Sequence, residues 1–586
     1  MCLLFFLCCL EHLNLGGDDL GNDLTGTLPT ELGLLTSLTY ISLGPNRLSG
    51  EFPNQIGNLI QLQHLSTKSI NFHAGTTIPS VLFRLTRLTH LDVSGSGFTG
   101  TLPSEIGFLS GMLYFRATGS ATSRNGNLVG KIPTAIGICS NLRYLSLGIN
   151  AFSGTIPTEV GALTSLAYLE LSNNALSGTL PILSNFASLS TLLLVNNKFS
   201  GALPTEIFHS SSLEMLDLRY NSFNGTIPTE IGNLTSLKVL SIGINFFTGA
   251  LPTEIGYLTS MTSFSMLSNN FIGTIPSEIG LLTSLAQLSF SNNEFTGTVP
   301  TEIGLLTSAI SLVMNNNKFT GTLPVEIGLI TSIRLLRLIT SGLTGTLPTE
   351  IGLLTRLQRL ELNDNAFNGT LPTELGLLTS IRSLALNSNT LTGTLPTEIG
   401  MMRSLNYLRL GDNTGNFTGT IPTEIGFLTN LNELSVISCS FTGTVPREVR
   451  LLTRLTSLSL SNNKLTGAFP TEIGHLTMLS KLYGTNNSFI GTLPTTIGLL
   501  TSLIDLRLSK NAFTGKIPTE FGFLTSLILL FIDGNKFTGT IPSEIGLMTS
   551  LQQLWFSNNK LTGTVPTEIG LLISLTTSEL SNNTFT

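Results

Sequence analysis

The sequence predicts a solenoid, a stack of short coils that each give one strand to a parallel sheet and one short helical turn to the opposite side. Three observations predict it. Of 24 prolines, 23 fall in one register from Pro29 to Pro566, and 18 of the 22 intervals between them are 24 residues long. Apolar and polar residues alternate at the same place in each period, as in Leu285-Ala-Gln-Leu-Ser-Phe290, the pattern of a strand with one buried face. Asparagine recurs seven residues before the proline in 17 of 23 periods, and glycine three residues before it in 22. A fixed period in this range means units that bury their apolar faces only against their neighbours. A chain of 586 residues then needs no division into separate globular domains.

Each element of the period has its own reason. The strand around Leu288 and Phe290 points alternate side chains inward and stacks on its counterparts. Asn293 follows at the bend, where an amide that both donates and accepts can satisfy backbone groups left unpaired as the coil turns. Ser96, Ser341 and Cys439 replace it in three coils. Gly297 permits positive φ or close approach of adjacent backbones. Pro300-Thr-Glu-Ile-Gly304 suits the start of a short helix, with a fixed φ and a carboxylate near the positive end. Glutamate holds the second position after proline in 18 of 23 periods, which makes that carboxylate column structural rather than catalytic.

These residues resemble the plant-type leucine-rich repeat, whose consensus runs Leu-x-x-Leu-x-Leu-x-x-Asn-x-Leu-Thr/Ser-Gly-x-Ile/Leu-Pro. The match covers residues 10–586 as one continuous domain of about 23 repeats, the last truncated. The resemblance implies a leucine-rich repeat solenoid: a right-handed superhelix with a parallel concave sheet, short 3₁₀ or α turns on the convex side, and a second short strand near Thr-Gly-Thr. It also implies a non-enzymatic binding scaffold, like the ectodomains of receptor-like kinases and receptor-like proteins. Such a scaffold recognises a peptide, protein or glycan on its concave or lateral surface, outside the cell or at its surface. Other readings are a structural surface or wall protein, an ice-binding array of Thr-Gly-Thr rows, and cytoplasmic residence.

Residues 1–9 form an apolar N-terminal segment, either the remnant of a secretory signal or the end of a preceding repeat. The signal reading lacks a basic start and a small-residue cleavage site. Cys2, Cys8, Cys9, Cys139 and Cys439 give none of the spaced pairs that cap plant-type extracellular repeats, and Cys139 and Cys439 fall in inward columns. The chain stops within a coil at Thr586, so membrane attachment is expected, if at all, through sequence outside it. Insertions before Pro79, Pro133 and Pro422, the longest around Gly119 to Asn127, mark candidate contact loops.

Composition narrows function further. Only 11% of residues are charged, the net charge is −6, and no lysine-arginine run occurs. These facts argue against a nucleic-acid partner. Motifs for zinc proteases, serine hydrolases, phosphate loops and calcium loops are missing, the Asp18-Asp19, Asn22-Asp23 cluster having the wrong spacing, so neither enzymatic activity nor a cofactor or metal is expected.

Candidate ligand-binding residues are therefore sought where the template is broken. In the strand column just before the second leucine, the first coils read His12, Tyr40, His64, His90, Tyr114, Tyr144 and Tyr168. Tyrosine stacks readily on itself, and the same strip is a candidate peptide or glycan contact that histidine protonation would modulate. Two residues further along, near the C-terminus, stand Tyr483, Arg507, Phe531 and the only tryptophan, Trp555, a plausible hot spot. A third group, Arg337, Arg359, Glu361 and Arg409, offers a grip for a carboxylate. Possible N-glycosylation sites are Asn224, Asn233, Asn368, Asn416, Asn486 and Asn582, no more than the Ser- and Thr-rich composition gives by chance.

Overall fold

A computed structural model describes residues 9–16, 22–70, 72, 75–120, 128–181, 186–415 and 417–586. The segment 1–8, the Asp18-Asp19 pair, most of the Gly119 to Asn127 insertion and the Asn416 sequon lie outside the described residues. Two compact units are present, Met1–Glu294 and Phe295–Thr586.

In the first unit, twelve three-residue strands run from His12–Asn14 to Gln287–Ser289 and pair in parallel with their sequence neighbours. Twelve more, from Ser311–Val313 to Thr577–Glu579, do the same in the second. Register is strict: in each pairing the middle residues of the two strands face one another, apolar against apolar as Leu216 faces Leu240, except at the last, where Leu554 faces Ser578. Strand residues on either side of the middle one point to the open face, which makes each sequence column a physical row.

The turn opposite the strands is a five-residue 3₁₀ helix in every case described, ten in the first unit and twelve in the second. Proline sits just before it, as Pro300 does at φ −67 ahead of Thr301–Leu305. Its fixed φ serves an extended entry rather than the first helical residue. The following glutamate is drawn back to its neighbour, Thr301 Oγ1 donating to Glu302 Oε2 at 3.2 Å. The helical glycine is steric: a Cβ on Gly304 would stand 2.5 Å from the Glu326 carbonyl oxygen of the next coil. The second short strand ends on the glycine in 11 of the 19 coils that have one described, for example Phe246–Gly249, and in two, Thr25–Thr27 and Thr344–Thr346, it is Thr-Gly-Thr itself.

Between strand and second strand the asparagines form a ladder. Asn245 is 5% exposed. Its amide donates to the carbonyls of Leu218, Ile242 and Gly243 at 3.0, 3.1 and 3.2 Å and accepts from the Phe223 N–H at 3.0 Å. One side chain thus closes its own bend and fastens the preceding coil. The residue just before it is left-handed, whatever its type, as Ile244 at φ 57 and Tyr220 at φ 57 show. Behind the ladder runs a stack of phenylalanines, Phe199, Phe223, Phe247 and Phe271, with ring centroids 5.9 to 6.2 Å apart. Each is fully buried.

The breaks in the ladder follow chemistry. Ser341 reaches the Met314 and Ile339 carbonyls at 3.0 and 3.1 Å, and Cys439 the Leu410 carbonyl at 3.4 Å. Burial pushes the Cys439 thiol up to about 12 and the Cys139 thiol to about 11, leaving both protonated and inert at neutral pH. In the coil ahead of Pro422, counting back from the proline lands on Gly415. The ladder position is filled by Asn413, bonded to the Leu386 and Leu410 carbonyls. The insertion therefore falls after the bend.

Candidate ligand-binding surface

The first candidate strip is a continuous stack. From His12 through Tyr40, His64, His90, Tyr114 and Tyr144 to Tyr168, successive ring centroids stand 4.1, 4.3, 5.6, 6.0, 4.3 and 4.3 Å apart. Five of the six pairs are stacked within 20° of parallel; only His64 and His90 are tilted, by 30°. Parallel strand register puts the rings one above another. Each inner ring spends both faces on its neighbours, so the strip presents ring edges, phenol hydroxyls and imidazole nitrogens to a ligand. Rings from Tyr40 to Tyr168 are half-buried.

Electrostatics follow from that burial. Burial, then the neighbouring His90, hold the His64 imidazole below its usual pKa against the opposing pull of Asp92. Burial and the nearby Asp92 push the Tyr114 phenol up to about 12, and burial with Glu170 raises Tyr168 as well. At neutral pH these groups are uncharged hydrogen-bonding groups. Two residues along, Asp92 and Arg116 stand in register, and Ser146 donates to Glu170 at 2.5 Å.

The second candidate group is a built cluster. Arg507 lies between two rings, 5.3 Å from the centroid of Tyr483 and 5.0 Å from that of Phe531. Its guanidinium is held by Asp505 through bonds of 2.9 and 3.0 Å, and the Tyr483 hydroxyl donates to the same carboxylate at 2.9 Å. Phe531 continues to Trp555 at 5.0 Å, and Trp555 is 36% exposed. Asp505, which sequence reasoning missed, is the residue that organises the group. Its signal was available, since register places it beside Lys481 and two residues before Arg507 on the same strand.

The third group divides. Arg337 is already engaged by Glu361 at 2.5 Å, and Arg409 by Glu433 through bonds of 2.8 and 2.7 Å. As a four-residue carboxylate grip the group is corrected: two of its arginines hold carboxylates of the chain itself. Arg359 stays exposed.

Among the sequons, Asn224, Asn233, Asn368, Asn486 and Asn582 are exposed. Asn486 and Asn582 occupy the left-handed bend and donate to Asn462 and Asn558 at 3.1 and 2.9 Å. The Thr-Gly-Thr rows are partly consumed internally. A Cβ on Gly249 would stand 2.6 Å from the Thr226 methyl, and the Thr248 hydroxyl donates to the Gly225 carbonyl. Among the described residues no group of His, Cys, Asp or Glu is placed to hold a metal, and no helix is long and apolar enough to cross a membrane.

Asparagine ladder, parallel strand rows and 3₁₀ turns define the leucine-rich repeat class, and the chain belongs to that family. The Leucine Rich Repeat model matches residues 87–109, 212–234, 454–476 and 550–572. Solved structures similar along nearly the whole chain include plant receptors. The peptide hormone receptor RGFR1, solved with RGF2, has a TM-score of 0.86 at 29% identity, over 99% of this chain and 95% of that one. PEPR1 with AtPEP1 gives 0.83 at 32%, over 96% and 81%. The Arabidopsis receptor kinase HAESA, solved with the peptide hormone IDA and the co-receptor SERK1, gives 0.82 at 30%, over 92% and 89%. Two full-length relatives match over 57 residues, 10% of this chain and 5% of either relative. These are the receptor-like kinase EFR of Arabidopsis thaliana, 44% identical, and Xa21 of Oryza sativa subsp. japonica, 46% identical.

Proposed function

We propose that the chain is a receptor-like binding ectodomain, at the cell surface or outside the cell, that recognises a peptide or protein on the open face of its sheet. The observation that carries the proposal is the seven-ring column in the first unit, on the scaffold of receptors solved with peptide hormones. The contacts are the edges of Tyr40, His64, His90, Tyr114, Tyr144 and Tyr168. Tyr483, Arg507, Phe531 and Trp555 form a second contact surface, and residues 10–586 act as one repeat domain. Edge-presenting rings read hydrogen bonds and side-chain shape, and the strands that carry Tyr40 to Tyr168 are paired on both sides, so none of them offers a free edge to template a peptide.

The test is selection of a phage-displayed dodecapeptide library on the wild-type chain. Enriched peptides are expected to bind the Tyr114→Ser/Tyr144→Ser/Tyr168→Ser variant at least tenfold more weakly. Peptides that bind both proteins equally would overturn the assignment of the strip.

A further inference from the structure

The second unit contains a slot across its sheet that the aromatic strips do not explain. It is a depression of about 430 Å³ lined by Arg359, Glu361, Arg382, Ser383, Asn406, Tyr407 and Arg409. Register explains how it arises. Arg359, Ser383 and Tyr407 stand side by side on three successive strands, and so do Glu361, Ala385 and Arg409. At these positions the middle strand carries only a hydroxyl and a methyl, Ser383 and Ala385, while the strands on both sides carry long side chains; Arg382, just ahead of Ser383, also lines the depression. The walls stand about two strand spacings, roughly 10 Å, apart.

Charge in the slot is uneven. Glu361 is neutralised by Arg337, and Arg409 by Glu433. Arg359 and Arg382 have no carboxylate partner among the described residues, and both are exposed. Two uncompensated guanidiniums therefore line one depression, in a chain of net charge −6. A guanidinium pairs best with a planar or tetrahedral oxyanion, two bonds at a time.

Tyr407 distinguishes the slot from the N-terminal strip. It is 40% exposed, with Arg409 5.6 Å from its ring centroid. On the slot side its register neighbour is Ser383, too small to cover a phenol ring. An open aromatic face beside cationic donors suits a sugar ring bearing an acid group, because the ring takes the apolar C–H face and the guanidiniums take the anion. Asn406 spends its Nδ2 on the Asn430 carbonyl at 3.0 Å, which leaves its Oδ1 to accept from a hydroxyl.

We infer that this slot binds an acidic polysaccharide, a glycan chain whose sugars carry carboxylate or sulfate groups. Tyr407 is the platform for one ring, Arg359 and Arg382 hold its anion, and Ser383 is the floor that gives it room.

The experiment titrates the full chain by calorimetry at 50 mM salt with four probes: oligogalacturonate, dextran sulfate, neutral dextran and poly-L-glutamate. At least one acidic glycan is expected to bind, and which one does so identifies carboxylate or sulfate as the anion. Neutral dextran and poly-L-glutamate are expected to bind at least tenfold more weakly. Arg359→Ser/Arg382→Ser should weaken the acidic glycan at least tenfold and Tyr407→Ser at least threefold. Ser383→Trp keeps every charge and fills the floor, so it should abolish binding while the unfolding midpoint stays put. Three results would each overturn the inference: no binding of either acidic glycan, poly-L-glutamate binding as tightly, or wild-type binding by Ser383→Trp.

Discussion

Asn245→Ala probes what holds one coil to the next. The substitution removes an amide that donates to three carbonyls and accepts from the Phe223 N–H at 3.0 Å, at a position 5% exposed. Leaving one buried N–H unpaired costs about 1–3 kcal/mol, and losing one of the two side-chain donors at each of the Leu218 and Ile242 carbonyls, which keep Asn221 and Asn269, adds about 1 kcal/mol between them. The sum, about 3 kcal/mol, falls on the junction between two coils rather than on the whole chain, because repeat arrays are stabilised unit by unit. Native-state hydrogen exchange followed by mass spectrometry is the matching assay. Exchange at the Phe223 amide should accelerate about a hundredfold, since each 1.4 kcal/mol is about a factor of ten. Peptides from the second unit should be unchanged. Asn245→Ser should fall in between, since a hydroxyl can recover the donor side, as Ser341 does. Exchange at Phe223 within threefold of wild type would refute the claim that the amide fastens the coil.

Two further predictions concern conformation and pH. Gly249 and Gly273 share nearly the same φ, 79 and 78, but an added Cβ would stand 2.6 Å from the Thr226 methyl in one and 3.3 Å from the Ala250 Cβ in the other. Both alanine variants should lose about 1–2 kcal/mol for a left-handed non-glycine residue. Gly249→Ala should show the lower melting temperature, and adding Thr226→Ala should close the gap; equal melting of the two single variants would refute the close-approach reading. Burial depresses the His64 pKa, so the unfolded chain takes up the proton first as pH falls. Stability of the N-terminal coils should thus be full above about pH 6.5, the ordinary histidine value, and fall below it. His64→Gln should flatten that slope in denaturant titrations at pH 7.5 and 5.5, and an unchanged slope would remove His64 as its source.

The fold was legible because a 24-residue period turns a sequence into a lattice. Once the prolines are aligned, each column is a physical row, and Tyr114, Tyr144 and Tyr168 fall together by sequence alone. Two kinds of information do not survive that alignment. One is the position of an insertion inside the coil: aligned from Pro422, the ladder seemed to lose its asparagine, yet Asn413 holds the place because the extra residues follow the bend. The other is backbone conformation forced by neighbours. Nothing in Ile244, Tyr220 or Lys510 advertises a left-handed residue; the constraint comes from the inward ladder residue after each, asparagine here and Ser341 or Cys439 after Thr340 and Ser438, whose bonds hold the bend closed.

Sites were less legible than rows for a related reason. A column records which side chains are present, while a binding site is made as much by what is missing. The arginines at 337, 359 and 409 attract attention as a basic group, and two of them are satisfied within the chain. Space for a ligand comes instead from Ser383 and Ala385, residues that signal nothing singly and become a slot only between Arg359 and Tyr407. The same reasoning separates the two aromatic features. In the N-terminal strip each inner ring has a ring on both sides, so the faces close on one another and edges remain, except at the end of the strip where Tyr168 stands beside Thr191. Beside Tyr407 the neighbour is a serine, and a face stays open. Chemistry on a repeat lattice is therefore decided by differences between adjacent coils rather than by the composition of any one of them.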